Sequence, residues 1–322
     1  MTRQSQTRAL LDALPQAAKQ MRSLVIMGMP KSGTTLPLTL LDDHPRLITL
    51  PEELRFFHCH ADATDGIKAK RSLFANPNMQ FYKMGARDFD DYRETGGTGI
   101  GRRDYSNLDF DQFEALVEAA FRQTQDSAQR YTALFLAFEL SRGKPITDLL
   151  QGDAARILVS KAPDNELFLY RWNKMLGDRG QYLLTVRHPY ELYLSLNNIQ
   201  RIHARPDYDL DEFIELYRSR LKLVGLTPLA EGQLYILRYE DLIATPEQVM
   251  REVAAFLAID FTPSLLTPTK NGTPWAGNSS RGIRREAIYA NPQTARQQLS
   301  PEQRQHIASG LTAEMEILGY QP

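Results

Sequence analysis

Ser23-Leu24-Val25-Ile26-Met27-Gly28-Met29-Pro30-Lys31-Ser32-Gly33-Thr34-Thr35 carries the first and strongest statement about architecture in the chain. An apolar run rich in strand formers, closed by glycine, reads as a buried parallel strand. After the loop Met29 to Gly33, residues Thr34 to Asp42 read as a helix. Strand, glycine-containing turn and helix in that order form the first unit of a doubly wound α/β fold. Successive backbone N–H groups at such a turn, with a helix N-terminus behind them, make a site for a phosphate. The spacing from Gly28 to Gly33 copies the frame G-x-x-x-x-G-K-[ST] of the nucleotide-triphosphate loop. Thr34, however, stands where that motif has its lysine, and the lysine sits at position 31.

Working outward, Arg46 to Leu50, Arg156 to Ser160, Gln181 to Val186 and Gln233 to Arg238 are further strand candidates. Helical patterns begin at about Asn165 and about Tyr190, after Pro-containing turns. One amphipathic helix carries Phe213, Leu216, Tyr217, Leu221 and Val224, and another Val249, Val253, Phe256 and Leu257. Thr245-Pro246-Glu247-Gln248 and Ser300-Pro301-Glu302-Gln303 each read as a cap residue, a first-turn proline and a glutamine at the third position. The expected fold is α/β: a central, mostly parallel sheet with helices on both faces, built as one domain over residues 1–322. Residues 1–22 form a helical extension with Leu10, Leu11, Leu14, Ala17, Ala18 and Met21 on its docking face. Residues 60–108 and 261–299, irregular and rich in turn formers, are expected to be insertion or lid loops.

Composition narrows the function. The chain has 322 residues, 42% hydrophobic and 24% charged, with 38 basic and 39 acidic side chains and a net charge of −1. A nucleic-acid binder would show a basic excess, so an anion site here has to be local. One cysteine, Cys59, excludes an intrachain disulfide. Neither a signal-peptide run nor about 18 uninterrupted apolar residues occurs, so the expectation is a cytoplasmic protein without a membrane span. His58-Cys59-His60 is too tightly spaced for a usual zinc site, and no metal is expected.

The loop Pro30-Lys31-Ser32-Gly33-Thr34-Thr35 resembles the 5′-phosphosulfate loop of the family of sulfotransferases that use 3′-phosphoadenosine 5′-phosphosulfate (PAPS). Val186-Arg187-His188-Pro189-Tyr190-Glu191-Leu192-Tyr193-Leu194-Ser195 fits the family's second hallmark, R-x-P-x(5)-S, with Arg187 leaving a strand and Ser195 two turns into the next helix. A guanidinium and a hydroxyl form a fork for a terminal phosphate. The resemblance implies a P-loop-like fold, PAPS as donor, 3′,5′-adenosine bisphosphate as product and no metal. A sulfuryl group carries less charge than a γ-phosphoryl group, and a cation on the bridging oxygen could suffice where a kinase needs Mg²⁺. Lys31 is placed for that task. Ser32, Gly33, Thr34 and Thr35 would hold the 5′-phosphate. Leu237-Arg238-Tyr239-Glu240-Asp241-Leu242 resembles the family's Y-E-D-L segment and implies Tyr239 by the adenine. Asn278-Ser279-Ser280-Arg281-Gly282 falls where members carry a loop over the 3′-phosphate, which brings in Arg281 and, beside it, Arg284 and Arg285.

On the acceptor side, Pro51-Glu52-Glu53-Leu54-Arg55-Phe56-Phe57 resembles segments of the glycosaminoglycan and tyrosylprotein branches, and both place the catalytic base at Glu53, with Glu52 as the fallback. Ser160-Lys161-Ala162-Pro163 resembles the K-[ST]-P segment of those branches, so Lys161 is a second cation for the transition state; Ala162 departs from the pattern. The expected activity is in-line sulfuryl transfer to a hydroxyl or amine acceptor, such as a sugar, tyrosine, lipid or small metabolite, with Glu53 taking the acceptor's proton. Two other readings use the same residues: a P-loop kinase or nucleotide hydrolase, and a non-catalytic phospho-ligand-binding protein of the same fold. The first would need a lysine at position 34 and an aspartate ending a buried strand for Mg²⁺. The candidate strand ends instead offer Ser160-Lys161 and Arg187.

Overall fold

Apolar residues alternating along short strands build two cores back to back, one on each face of a sheet. In the computed structural model, which describes residues 3–59, 68, 105, 107–150, 156–275 and 295–321, that sheet has five strands. They are β1 (Ser23–Met27), β2 (Leu47–Glu53), β3 (Ile157–Lys161), β4 (Gly180–Val186) and β5 (Leu234–Arg238). The order is β2-β3-β1-β4-β5, and every pairing is parallel. Val25, Met27, Leu158, Tyr182 and Leu184 point into one core; Leu24, Ile26, Ile157, Val159 and Leu183 point into the other.

Helices cover both faces. The first core is closed by α1 (Arg3–Gln20), α4 (Phe110–Gln123), α5 (Ser127–Ser141), α7 (Leu169–Leu176), α8 (Pro189–Ile202) and α9 (Leu210–Leu226). The second is closed by α2 (Thr35–Leu41), α10 (Tyr239–Ala244) and α11 (Pro246–Phe256). Two short helices, α3 (Phe56–Cys59) and α6 (Ile146–Leu150), follow β2 and α5, and α12 to α14 (Ala295–Gln298, Pro301–Gly310, Thr312–Ile317) finish the chain. Helix α1 docks through Leu10, Leu14, Ala17 and Ala18, which are buried against α4 and α5.

The strand order sets the site. From β1 the chain moves outward to β2, returns through β3 and then crosses to β4 on the other side of β1. The segments leaving β1 and β4 therefore diverge to opposite faces, and a crevice opens at their carboxyl ends, where open α/β sheets bind ligands.

Three local expectations are corrected. The second strand does not stop at Leu50: it continues past Pro51 to Glu53 through a shift in register between Thr49 and Glu53, so both glutamates lie on the strand and not in a loop. The helix expected from about Asn165 opens as a 3₁₀ turn, Asn165–Phe168, before α7. Thr245 does not cap α11; its hydroxyl turns back and donates to the Asp241 carbonyl at 3.2 Å, closing α10. The Ser300–Gln303 capping box, in contrast, forms with both reciprocal bonds.

Candidate functional site

The loop after β1 takes its shape from three residues with positive φ: Gly28 (147°), Lys31 (71°) and Gly33 (97°). One internal bond, Ser32 N–H to the Met29 carbonyl at 3.0 Å, tightens it. No hydrogen bond within the described residues takes up the N–H groups of Lys31, Gly33 or Thr34. The Ser32 hydroxyl is buried and equally without a partner. Polar groups left over at a strand–helix turn are the donor set a phosphate needs, so the residues present fit a phosphorylated ligand.

Cations surround this loop. Among the described residues Lys31 makes no ion pair, and its ammonium is held below the ordinary lysine range by burial first, then by Arg187 and Lys161, with Glu53 acting the other way. Arg187 leaves β4 and donates through Nη1 to the Lys31 carbonyl at 3.2 Å and to Ser195 Oγ at 2.9 Å; its Nη2 lies 3.3 Å from Glu191 Oε2. The guanidinium and hydroxyl of the R-x-P-x(5)-S segment are thus adjacent, one turn of α8 supplying Glu191 between them. Tyr239 closes the other side. A Cβ on Gly33 would lie 2.3 Å from Tyr239 Cδ2, and Arg187 Cζ lies 5.2 Å from the centre of the same ring.

The acceptor-side residues meet one strand away. The register places Glu53 beside Lys161, and their side chains pair at 2.8 Å, with Arg55 Nε 3.9 Å from Glu53 Oε2. Burial alone would raise the Glu53 carboxyl, but Lys161, by charge and hydrogen bond, and then Arg55 and Lys270, hold it below the ordinary range. Glu52 is otherwise engaged: Tyr105 donates to it at 2.7 Å and Lys270 lies 3.3 Å away, all three buried. Strand alternation sends the two glutamates to opposite sides, and Glu53 is the one whose charge acts on Lys31 in the loop.

Beneath the loop the structure brings in residues that sequence reasoning did not single out. Glu166 accepts from the Gly28 N–H at 3.1 Å, and Arg220 bridges Glu166 and Asp164. Only the topology could reveal Arg220, which lies 54 residues from Glu166. Arg281, Arg284 and Arg285, and most of 60–108 and 276–294, lie outside the described residues. Among the described residues no group of three or more His, Cys, Asp or Glu side chains is placed to hold a metal, and no helix is long and apolar enough to cross a membrane.

A model of the sulfotransferase family matches residues 23–263. Among solved structures the chain is similar to the sulfotransferase domain from the curacin biosynthetic pathway, at 20% identity over 94% of this chain and 99% of that one, with a TM-score of 0.56. It is also similar to the sulfotransferase domain from the Synechococcus PCC 7002 olefin synthase, at 18% identity over 93% and 95%, with a TM-score of 0.47. The first likeness is one of fold. No curated protein matches the chain.

Proposed function

The chain belongs to the sulfotransferase family, and from that premise we propose that it moves the sulfuryl group of PAPS to a hydroxyl or amine acceptor, with Glu53 as the base. The observation that carries the reading is the loop itself: among the described residues the N–H groups of Lys31, Gly33 and Thr34 are open and the electrostatically crowded Lys31 makes no ion pair. Crowding one ammonium against Arg187 and Lys161 costs free energy until an anion sits among them. PAPS supplies that anion and the sulfuryl group to be transferred.

The division of labour is the one the family resemblance implies, and the closeness of these groups to one another supports it. The loop N–H groups, Ser32, Thr34 and Thr35 hold the 5′-phosphate, and Arg187 with Ser195 holds the 3′-phosphate. Tyr239, packed on Gly33, lies beside the nucleotide base. Glu53 is ionised at neutral pH and accepts the acceptor's proton as the new bond to sulfur forms. Lys31 stabilises the electron pair left on the phosphate oxygen as the old S–O bond breaks, and Lys161 the oxygens of the transferred group. Lys161 is therefore shared between holding Glu53 and meeting the transferred group. Arg281 remains the proposed contribution of residues 276–294 to the 3′-phosphate, and the protein is expected to work in the cytoplasm.

The test is turnover of labelled PAPS with a panel of hydroxyl and amine acceptors. Glu53→Gln is expected to lower turnover by about 10²- to 10⁴-fold, the usual range for a general base, with the fold retained. Near-normal turnover in that variant would remove Glu53 as the base.

A further inference from the structure

Gly28 is the hinge between strand and loop, and it is gripped from an unexpected quarter. The β1–β4 ladder ends at Met27 opposite Leu184, so the backbone groups of Gly28 need partners outside the sheet. A side chain cannot be accommodated there: a Cβ would lie 2.4 Å from the Thr185 carbonyl and 2.7 Å from Ser32 Oγ. Both backbone groups are instead taken by the turn that follows β3. The Gly28 N–H donates to Glu166 Oε2 at 3.1 Å, and the Gly28 carbonyl accepts from the Asp164 N–H at 3.2 Å.

An isolated carboxylate at Glu166 would be costly, since its side chain is wholly buried. Arg220, reaching over from α9, offsets that cost. Its Nη1 lies 3.2 Å from Glu166 Oε1 and its Nη2 3.0 Å from Asp164 Oδ1. One guanidinium thereby ties together the two residues that hold Gly28. Glu166, Arg220, Ser32 and Arg187 also line one small cleft under the loop. The clamp and the anion-facing side of the loop are two surfaces of the same short segment.

We propose that Glu166, itself held by Arg220, is a positioning residue: by fixing Gly28 it sets the loop in the form that binds the donor nucleotide. This rests on the nucleotide reading above and deepens it. An acid cannot itself attract a phosphate, so its contribution here is geometric. Without it, the Gly28 N–H is left without its partner and the first peptide of the loop is free to rotate. The donors at Lys31, Gly33 and Thr34 then lose their common aim, and Arg220 retains only Asp164. Leaving that buried N–H without its acceptor costs enough to shift a binding constant by about tenfold or more.

The experiment titrates 3′,5′-adenosine bisphosphate calorimetrically into the full-length wild-type chain, Glu166→Ala, Glu166→Gln and Arg220→Leu, with a thermal melt of each. Glu166→Ala is expected to weaken binding about tenfold or more. Glu166→Gln, which keeps an acceptor oxygen for Gly28, is expected to recover most of that loss, and Arg220→Leu to weaken binding by freeing Glu166. A lower melting temperature with affinity within about twofold of wild type in Glu166→Ala would make the residue merely structural and overturn the proposal. Should Glu166→Ala fail to fold, wild-type affinity in both Glu166→Gln and Arg220→Leu overturns it equally. If the wild-type chain itself binds no bisphosphate, the nucleotide reading fails and this inference with it; equal binding by wild type and variants sinks the inference alone.

Discussion

Lys31 occupies a backbone conformation, φ 71°, that a residue with a side chain adopts at a cost, and it does so without an ion-pair partner among the described residues. Neither feature helps the free chain fold. Both are accounted for if the residue is set for an anion, because function is where such costs are tolerated. Lys31→Ala is accordingly expected to lower turnover by at least about 100-fold, the scale of removing one donor to developing charge, while the melting temperature holds or rises. Lys161 permits a sharper test at this scale, because it lowers the Glu53 carboxyl both by its charge and by its hydrogen bond. In Lys161→Met that support is gone, so the Glu53 carboxyl rises. The acid limb of the pH–rate profile is then expected to move to higher pH. A limb that stays in place, with only the plateau lowered, would show that Glu53 does not govern it.

At the scale of elements, the loop is shaped by what packs on it. Gly33 lies against the Tyr239 ring at the start of α10, and its φ of 97° adds backbone strain to any side chain placed there. Gly33→Ala is expected to lose about 1–3 kcal/mol of stability and to weaken nucleotide binding as well, measured by thermal melt and titration. The turn after β3 contributes through Glu166, whose carboxyl burial pushes up to about 7 against an ordinary 4.5, although Arg220 and the Gly28 N–H oppose the rise and Asp164 adds to it. The sign follows: the folded chain keeps a proton that the unfolded chain releases, so this group's stabilisation is full below pH 4.5 and is lost as pH rises through about 7. Glu166→Gln is expected to flatten that part of the stability–pH curve; an unchanged slope between those values would mean Glu166 titrates normally.

At the scale of the whole molecule, the framework of the sheet was legible because its strands are short and largely apolar, and all but the edge strand β5 are buried on both faces. Their carboxyl ends carried chemistry that could be placed before any coordinates: Lys31 after β1, Lys161 at the end of β3, Arg187 after β4. Three things were not legible, each for a physical reason. Helix α5 is buried along nearly its whole circumference from Arg130 to Ser141, so it lacks the apolar stripe by which a helix is recognised. The extension of β2 through Pro51 to Glu53 depends on a register shift, which a local pattern cannot encode. The Glu166–Arg220 clamp joins residues on different elements, and only the placement of α9 over the turn after β3 brings them together. Because α5 packs on α1, α4 and β2, the first core depends on it. Phe135→Ala there is expected to cost about 3–5 kcal/mol, read from chemical denaturation, through the cavity left at a fully buried site.

The donor assignment is tested most directly by calorimetric titration of the wild-type chain with 3′,5′-adenosine bisphosphate, run beside ATP with and without Mg²⁺. The account predicts metal-independent binding of the bisphosphate, weakened at least about tenfold by Arg187→Ala through loss of the guanidinium at the 3′-phosphate. Preference for Mg²⁺–ATP over the bisphosphate would contradict it and assign the loop to a nucleotide triphosphate.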